Sequence, residues 1–146
     1  MSVEDSLGSK KPFLYTTVKP RTCRLRSYTK AFIDTGSPHG LILNMLEAKR
    51  MQFPFRGRET EITRLGGHKI RLFSAGNTTL FFKDTKNRLV KCEVPAYYSY
   101  PTGKKEEKRL EVSAIPNILG VEFLELNRYA LFFCPHNNVG ALTDEI

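Results

Sequence analysis

The 146-residue sequence contains few cysteines and no long apolar run. Its three cysteines, Cys23, Cys92 and Cys134, are an odd number, widely spaced and without a C-x-x-C pair. This pattern argues against a disulfide framework and for a reducing compartment. Residues 1–11 are polar, and no apolar stretch approaches the roughly 18 residues of a membrane span, so neither a signal peptide nor a transmembrane helix is expected. These absences predict one soluble cytoplasmic domain with no membrane association.

The spacings that metal, nucleotide or thiol chemistry requires are also missing. His39, His68 and His136 do not stand at metal-ligand spacing. There is no G-x-x-x-x-G-K-[ST] and no G-x-G-x-x-G, hence no sign of a phosphate-binding loop. Cys23 and Cys92 lie in strand-like patterns, where a thiol is normally a small buried hydrophobe. We therefore expect no metal and no cofactor.

Positive charge, in contrast, is in excess, with a net charge of +8. Together with ten Phe and six Tyr available for stacking, it makes a nucleic-acid-binding β-barrel one hypothesis. The alternative is that the charges form solvated faces that keep the protein soluble. Glu106 and Glu107 favour this alternative, because they interrupt the last of the three basic clusters along the chain. The three clusters are Lys19, Arg21, Arg24, Arg26 and Lys30; Lys49, Arg50, Arg56 and Arg58; and Lys104, Lys105, Lys108 and Arg109.

Most of the chain has the pattern of β-strands. Aromatic, β-branched and alternating residues predict strands at 13–18, 22–28, 30–34, 41–43, 78–82, 89–94 and 128–134. Asn44 is a candidate cap for a short helix over 45–51, and 121–127 is also helix-like. Residues 1–11 are expected to form a flexible extension and 135–146 a loose polar tail. Tyrosine, proline, glycine and charge predict an exposed insertion over 97–113.

The most informative stretch is 31–38, A-F-I-D-T-G-S-P. An apolar run that ends in a carboxylate, a hydroxyl and a glycine predicts a strand entering a tight loop. Asp34 would then be a positioned carboxylate, able to act as a general acid or base. A plain Asx-type turn, in which Asp34 bonds its own backbone, explains the triplet equally simply.

Two further stretches accompany this loop. The Gly66-Gly67 pair, between two alternating segments of 61–73, is a signal for a two-residue hairpin turn. A second apolar run, 114–120 (A-I-P-N-I-L-G), ends in Gly120 directly before the helix-like segment. On local sequence alone, the hairpin could equally be an ordinary surface hairpin.

Together the three stretches resemble the retropepsin-like, single-domain aspartic proteases. That family has an apolar-apolar-Asp-Thr-Gly loop, a glycine-rich flap and, near its C-terminus, an apolar-apolar-Gly strand followed by a short helix. The resemblance covers residues 12–134 and implies an all-β, closed retropepsin-like barrel with one or two short helices. It assigns catalysis to Asp34, Thr35 and Gly36, and substrate binding by loop and flap to Ser37, Arg64, Leu65, Gly66, Gly67 and His68.

The resemblance also implies the partners. Aspartic-protease chemistry needs two carboxylates that share a proton, and this chain has one Asp-Thr-Gly. The expected activity is therefore that of an aspartic endopeptidase acting on peptide or protein substrates, with an Asp34/Asp34′ dyad formed across a homodimer. A catalytically silent interaction module of the same fold and the nucleic-acid-binding barrel remain the alternatives.

The chain departs from the retroviral pattern at two linked positions. Ser37 and Pro38 stand where alanine and an acidic residue usually follow Asp-Thr-Gly. Val121 replaces the arginine that pairs with that acid. Both partners are absent together, so the departures concern the construction of the dimer more than the chemistry.

Overall fold

The computed structural model describes residues 1–6, 8–21, 24–53, 58–65, 67–102 and 115–144. Within these ranges, the strands are β1 Ser2–Ser6, β2 Ser9–Pro20, β3 Ser27–Ile33, β4 Leu41–Leu43, β5 Glu59–Leu65, β6 His68–Lys83, β7 Leu89–Pro101, β8 Asn117–Leu119, β9 Tyr129–Cys134 and β10 Val139–Asp144. The helices there are α1 Met45–Arg50, α2 Val121–Asn127 and a single 3-10 turn, Pro135–Asn137.

The strands of the described residues form one eight-stranded sheet and a separate hairpin. The order in the large sheet is β1-β2-β3-β8-β4-β7-β6-β5, and an additional pairing between β2 and β6 closes it. Strand β3 runs parallel to β8, and β4 runs parallel to β7. Strands β9 and β10 pair only with each other. The predicted all-β barrel with short helices is confirmed.

The end of strand β3, residues 31–33, is buried on both of its faces, which explains its unbroken apolar sequence. Ala31 and Ile33 belong to the main apolar cluster inside the barrel. Phe32 points the other way, into a second apolar cluster with Phe13 and Ile118. Because both faces are covered, the end of β3 is a fixed point from which the next loop starts.

Both chain ends differ from the flexible segments expected from the sequence. Strand β1 pairs antiparallel with β2, and Glu4 on β1 accepts hydrogen bonds from Lys30 and Tyr15. Strand β10 pairs with β9 over six positions, from Val139 to Asp144. Neither strand is enclosed on both faces, so neither requires a continuous apolar run.

The start of the predicted insertion at 97–113 is also strand. Tyr98 lies in β7, is 2% exposed, and stacks on Phe73 with ring centroids 5.2 Å apart. Tyrosine has high β propensity, and the long strand β6 supplies a pairing partner as far as Pro101. The rest of the predicted insertion, from residue 103 onward, lies outside the described residues.

The strand predicted over 22–28 is mostly wrong. Residues 24–26 are not in a strand, and β3 begins at Ser27. Residues 22–23 lie outside the described ranges.

Candidate active site

The Asp-Thr-Gly loop begins where β3 meets the end of β8. The Asp34 amide donates to the carbonyl of Leu119 at 2.9 Å, which continues the parallel pairing of the two strands. The Gly36 amide donates to Asp34 Oδ1 at 2.9 Å, and the Ser37 amide donates to the Asp34 carbonyl at 3.1 Å. The loop backbone therefore orients the carboxylate directly.

Backbone hydrogen bonds from Gly120 and Val121 hold the other side of this loop. The Gly120 amide donates to the Gly40 carbonyl at 2.9 Å, and the Val121 amide donates to the Ser37 carbonyl at 2.8 Å. A Cβ atom on Gly120 would lie 2.3 Å from the His39 carbonyl oxygen, so only glycine permits this approach. The two stretches that stood apart in the sequence thus form one structural unit.

A cavity of about 440 Å³ opens beside the loop. Most of its wall is apolar, and Asp34 contributes a carboxylate to it. Thr35, exposed to solvent, contributes the adjacent hydroxyl. Among the residues that line it are Asp34, Thr35, Leu65, Ile115, Ile118 and Phe133. A carboxylate beside apolar walls is suited to binding an extended chain with apolar side chains next to an acid-base group.

The predicted hairpin over 61–73 is present as β5 and β6. Leu65 pairs with His68 at the end of the hairpin, and Gly67 has a φ of +80°. Leu65 is buried in the second apolar cluster and also lines the cavity. Arg64 is exposed. The hairpin therefore places an apolar side chain over the loop.

The sequence-predicted site residues separate into two groups. Asp34, Thr35 and Leu65 line one cavity, and Gly36 lies beside them, bonded to Asp34. Ser37 is 6% exposed behind the loop and does not line that cavity, and neither do Arg64, Gly67 and His68. Gly66 lies outside the described residues.

Four elements meet behind the loop in a polar cluster that the sequence did not indicate. His39 Nε2 contacts Glu61 Oε1 on β5, and its ring centroid is 5.1 Å from that of Tyr97 on β7. The Tyr97 hydroxyl donates to Glu122 Oε1 at 3.4 Å. Burial, followed by the nearby Glu122 carboxylate, raises the pKa of Tyr97 and keeps the phenol a neutral donor. No spacing signal joins these residues, because each comes from a different element.

The described ranges contain no group of three His, Cys, Asp or Glu residues placed to hold a metal ion. None of the helices in those ranges has both the length and the apolar character needed to cross a membrane.

The barrel, with its Asp-Thr-Gly loop fastened by Gly120, is a retropepsin-like fold. It is similar to the crystal structure of a retropepsin-like aspartic protease from Rickettsia conorii, with a TM-score of 0.51 and 12% identity over 97% of this chain and 91% of that chain. EIAV protease complexed with the inhibitor HBY-793 matches with a TM-score of 0.46 and 16% identity over 80% of this chain and 86% of that chain. Neither the models of known protein families nor the curated proteins give a match.

Proposed function

We propose that this chain is an aspartic endopeptidase, active as a homodimer in which each protomer supplies one Asp34. The observation that carries the proposal is the position of Asp34. It follows three residues, 31–33, that are buried on both faces of β3, it is oriented by the Gly36 amide, and it lines a mostly apolar cavity together with Thr35 and Leu65. The fold shared with a retropepsin-like aspartic protease supports the same assignment.

The proposed chemistry divides the work between two carboxylates. One Asp34 accepts a proton from a water molecule while the protonated Asp34 of the second copy donates a hydrogen bond to the scissile carbonyl. The hydroxide equivalent adds to the carbonyl carbon, and the proton then passes to the leaving amine. Two carboxylates about 3 Å apart hold one proton between them, so the pair titrates as a unit with separated apparent pKa values.

The neighbouring residues have distinct roles in this proposal. Thr35 is exposed in the single protomer, and its hydroxyl is assigned to hydrogen bonds between the two facing loops. The backbone of Gly36 faces the substrate. The β5–β6 hairpin acts as a flap that pairs with an extended peptide and covers it with Leu65. Ser37, buried in this structure, is assigned to holding the loop rather than to the substrate.

The hairpin of β9 and β10 is the proposed contact between the two copies. It is a separate two-stranded sheet that includes Phe132, which is 57% exposed, and none of its strand residues is fully buried. One side of the hairpin packs on the barrel through Tyr129, Leu131 and Leu142, and a second copy would cover the other side, where Phe132 is exposed. The C-terminal strand has this role in dimeric members of the family that the sequence resembles.

The first test is the Asp34→Asn variant. The amide is nearly isosteric with the carboxylate but cannot accept the water proton or share one, so we expect peptide cleavage to fall by at least about a thousandfold. The measurement is cleavage of a denatured protein substrate between pH 3 and 7, with circular dichroism as the control for folding. Wild-type cleavage rates in Asp34→Asn would show that Asp34 is not the catalytic group.

The alternative is a catalytically silent interaction module. The hydrogen bond from Gly36 to Asp34 favours it in one respect, since it gives the carboxylate a structural use that needs no substrate. Absence of cleavage by both wild type and Asp34→Asn across that pH range would support this second function.

A further inference from the structure

The outward-facing side of strands β3, β2, β6 and β7 forms one continuous surface. Strand β2 pairs with β3 along one edge and with β6 along the other, and β6 pairs with β7. One row of paired residues crosses the middle of this surface and consists of Tyr28, Thr17, Phe81 and Lys91. The next residues along β6 and β7, Leu80 and Cys92, are buried, so this row points away from the core. We term this surface, with the flanking Tyr15, Lys19, Arg26 and Lys30, the outer face.

The outer face is strongly basic. Residues 19–30 contain five Lys or Arg side chains and no acid, and Lys91 adds a further cation. Among the described residues, acids on it include Glu93, beside Thr79 on the next row, and Glu4, which pairs with Lys30 at 3.0 Å. Positive charge is therefore in excess on this side of the sheet, which favours an anionic partner.

Aromatic rings lie among these cations. The rings of Tyr15 and Tyr28 stack with their centroids 6.1 Å apart, and the two residues are 40% and 64% exposed. The Arg26 guanidinium lies 4.8 Å from the centroid of the Phe81 ring. Such a large exposed fraction is unusual for two adjacent aromatic residues in one sheet and leaves ring surface for a ligand.

The stacked pair is held in place by polar contacts at its edges. The Tyr15 hydroxyl donates to Glu4 Oε2 at 2.8 Å. Arg50 Nη2 donates to the backbone carbonyl of Tyr28 at 3.2 Å. The two rings are therefore already ordered before a ligand binds, so less conformational entropy is lost when a ligand stacks on them.

We propose that the outer face binds single-stranded nucleic acid. Exposed aromatic faces stack unpaired bases, and interleaved cations contact the phosphates, whereas a duplex would hide its bases and an acidic peptide would leave the rings unused. The face lies at the start of β3, while Asp34 follows the end of that strand, so this site is separate from the proposed active site. It does not depend on the proposed peptidase activity.

The test is fluorescence anisotropy of labelled 12-nucleotide oligo-dT and oligo-U with the full chain. We expect an affinity that weakens about twentyfold between 50 and 200 mM salt, as for about three neutralised phosphates. Tyr28→Ala should weaken binding about tenfold, and Tyr28→Phe, which keeps the ring, should restore it. Arg26→Ala should lower the salt slope by about 0.7. The matched control is Lys69→Ala, which removes an exposed cation from the β5–β6 hairpin and should change nothing.

Several outcomes would overturn the proposal. These are absence of binding at 50 mM salt, equal binding by wild type and folded Tyr28→Ala, and competition by polyglutamate as effective as that by unlabelled oligonucleotide. Removing the Asp34 charge would strengthen the binding of a phosphate held beside it, so a change of affinity in Asp34→Asn would place the oligonucleotide in the cavity beside Asp34 and overturn the assignment to the outer face. Unchanged affinity in that variant, whatever its peptidase activity, supports the outer face and separates the two proposals.

Discussion

At the scale of single residues, Gly120 and Gly40 determine how closely the Asp-Thr-Gly loop can approach its neighbours. A Cβ atom on Gly40 would lie 2.4 Å from the Pro95 carbonyl oxygen, and one on Gly120 would lie 2.4 Å from the Ser37 carbonyl oxygen. In both cases the obstacle is backbone, which cannot rotate away as a side chain can. The position of Asp34 therefore depends on two residues that carry no functional group.

Gly120→Ala should accordingly destabilise the protein by about 2 kcal/mol or more, since the added methyl group displaces either the loop or α2. The measurement is the free energy of unfolding from denaturant titration. Gly140→Ala is the matched control, because a Cβ there meets only side-chain atoms at 3.3 Å or more, and its stability should change by less than about 1 kcal/mol. Equal stability of Gly120→Ala and wild type would show that the loop does not need this close contact.

Some of these residue-level features of the site could be predicted from the sequence. Asp34, Gly36 and Gly120 stand at the ends of apolar runs, and such local patterns can be read along the chain. The contact between His39 and Glu61 could not be predicted, because the fold alone brings the loop and strand β5 together. The burial of Ser37 also depends on α2, which is distant in the sequence.

At the scale of elements, Asn44 connects helix α1 by hydrogen bonds to residues 115–117, where β8 begins. Its Oδ1 accepts from the Glu47 amide at 2.8 Å, and its Nδ2 donates to the Ile115 carbonyl at 2.9 Å. Its own amide donates to Asn117 Oδ1 at 3.2 Å. The residue is thus both the N-cap of α1 and a bridge to the segment that carries Gly120.

Asn44→Ala should lower the free energy of unfolding by about 2 kcal/mol, because it removes a helix cap and leaves the Ile115 carbonyl without its donor. Asn44→Ser keeps an oxygen that can cap α1 but not the amide donor, so we expect roughly half that loss. Denaturant titration of both variants measures the difference. A loss in Asn44→Ser as large as that in Asn44→Ala would mean that the cap contributes nothing.

The elements that the sequence predicted well are those with local signals. The cap at Asn44, the hairpin of β5 and β6 and the apolar strand β4 each have a pattern within a few residues. Strands β1 (S-V-E-D-S) and β10 (V-G-A-L-T-D) lack a clear alternation of apolar and polar residues, and pairing with β2 and β9 stabilises them. The proline and glycine near Tyr98 predict an exposed insertion. The stacking of Tyr98 on Phe73 has no local signal, because Phe73 lies on a different strand.

At the scale of the whole molecule, the described residues bring together the Asp-Thr-Gly loop, the cavity beside it and the basic outer face. The cavity lies beside the end of β3, and the outer face includes its beginning. If both proposals hold, a peptide and a nucleic acid could be bound by the same protomer at separate places. Salt should then weaken oligonucleotide binding steeply and peptide cleavage little, since the cavity wall is mostly apolar.

The central claim, that one active site needs an Asp34 from each of two chains, is tested most directly by mixing. Wild type is unfolded and refolded together with a ninefold excess of Asp34→Asn, so that the chains pair at random. Only about one wild-type chain in ten then has a wild-type partner, and peptide cleavage per wild-type chain should fall about tenfold. The control is the same excess of wild type in place of the variant. Cleavage per wild-type chain that is unchanged by the variant would contradict the account, because it would show that a single chain is sufficient.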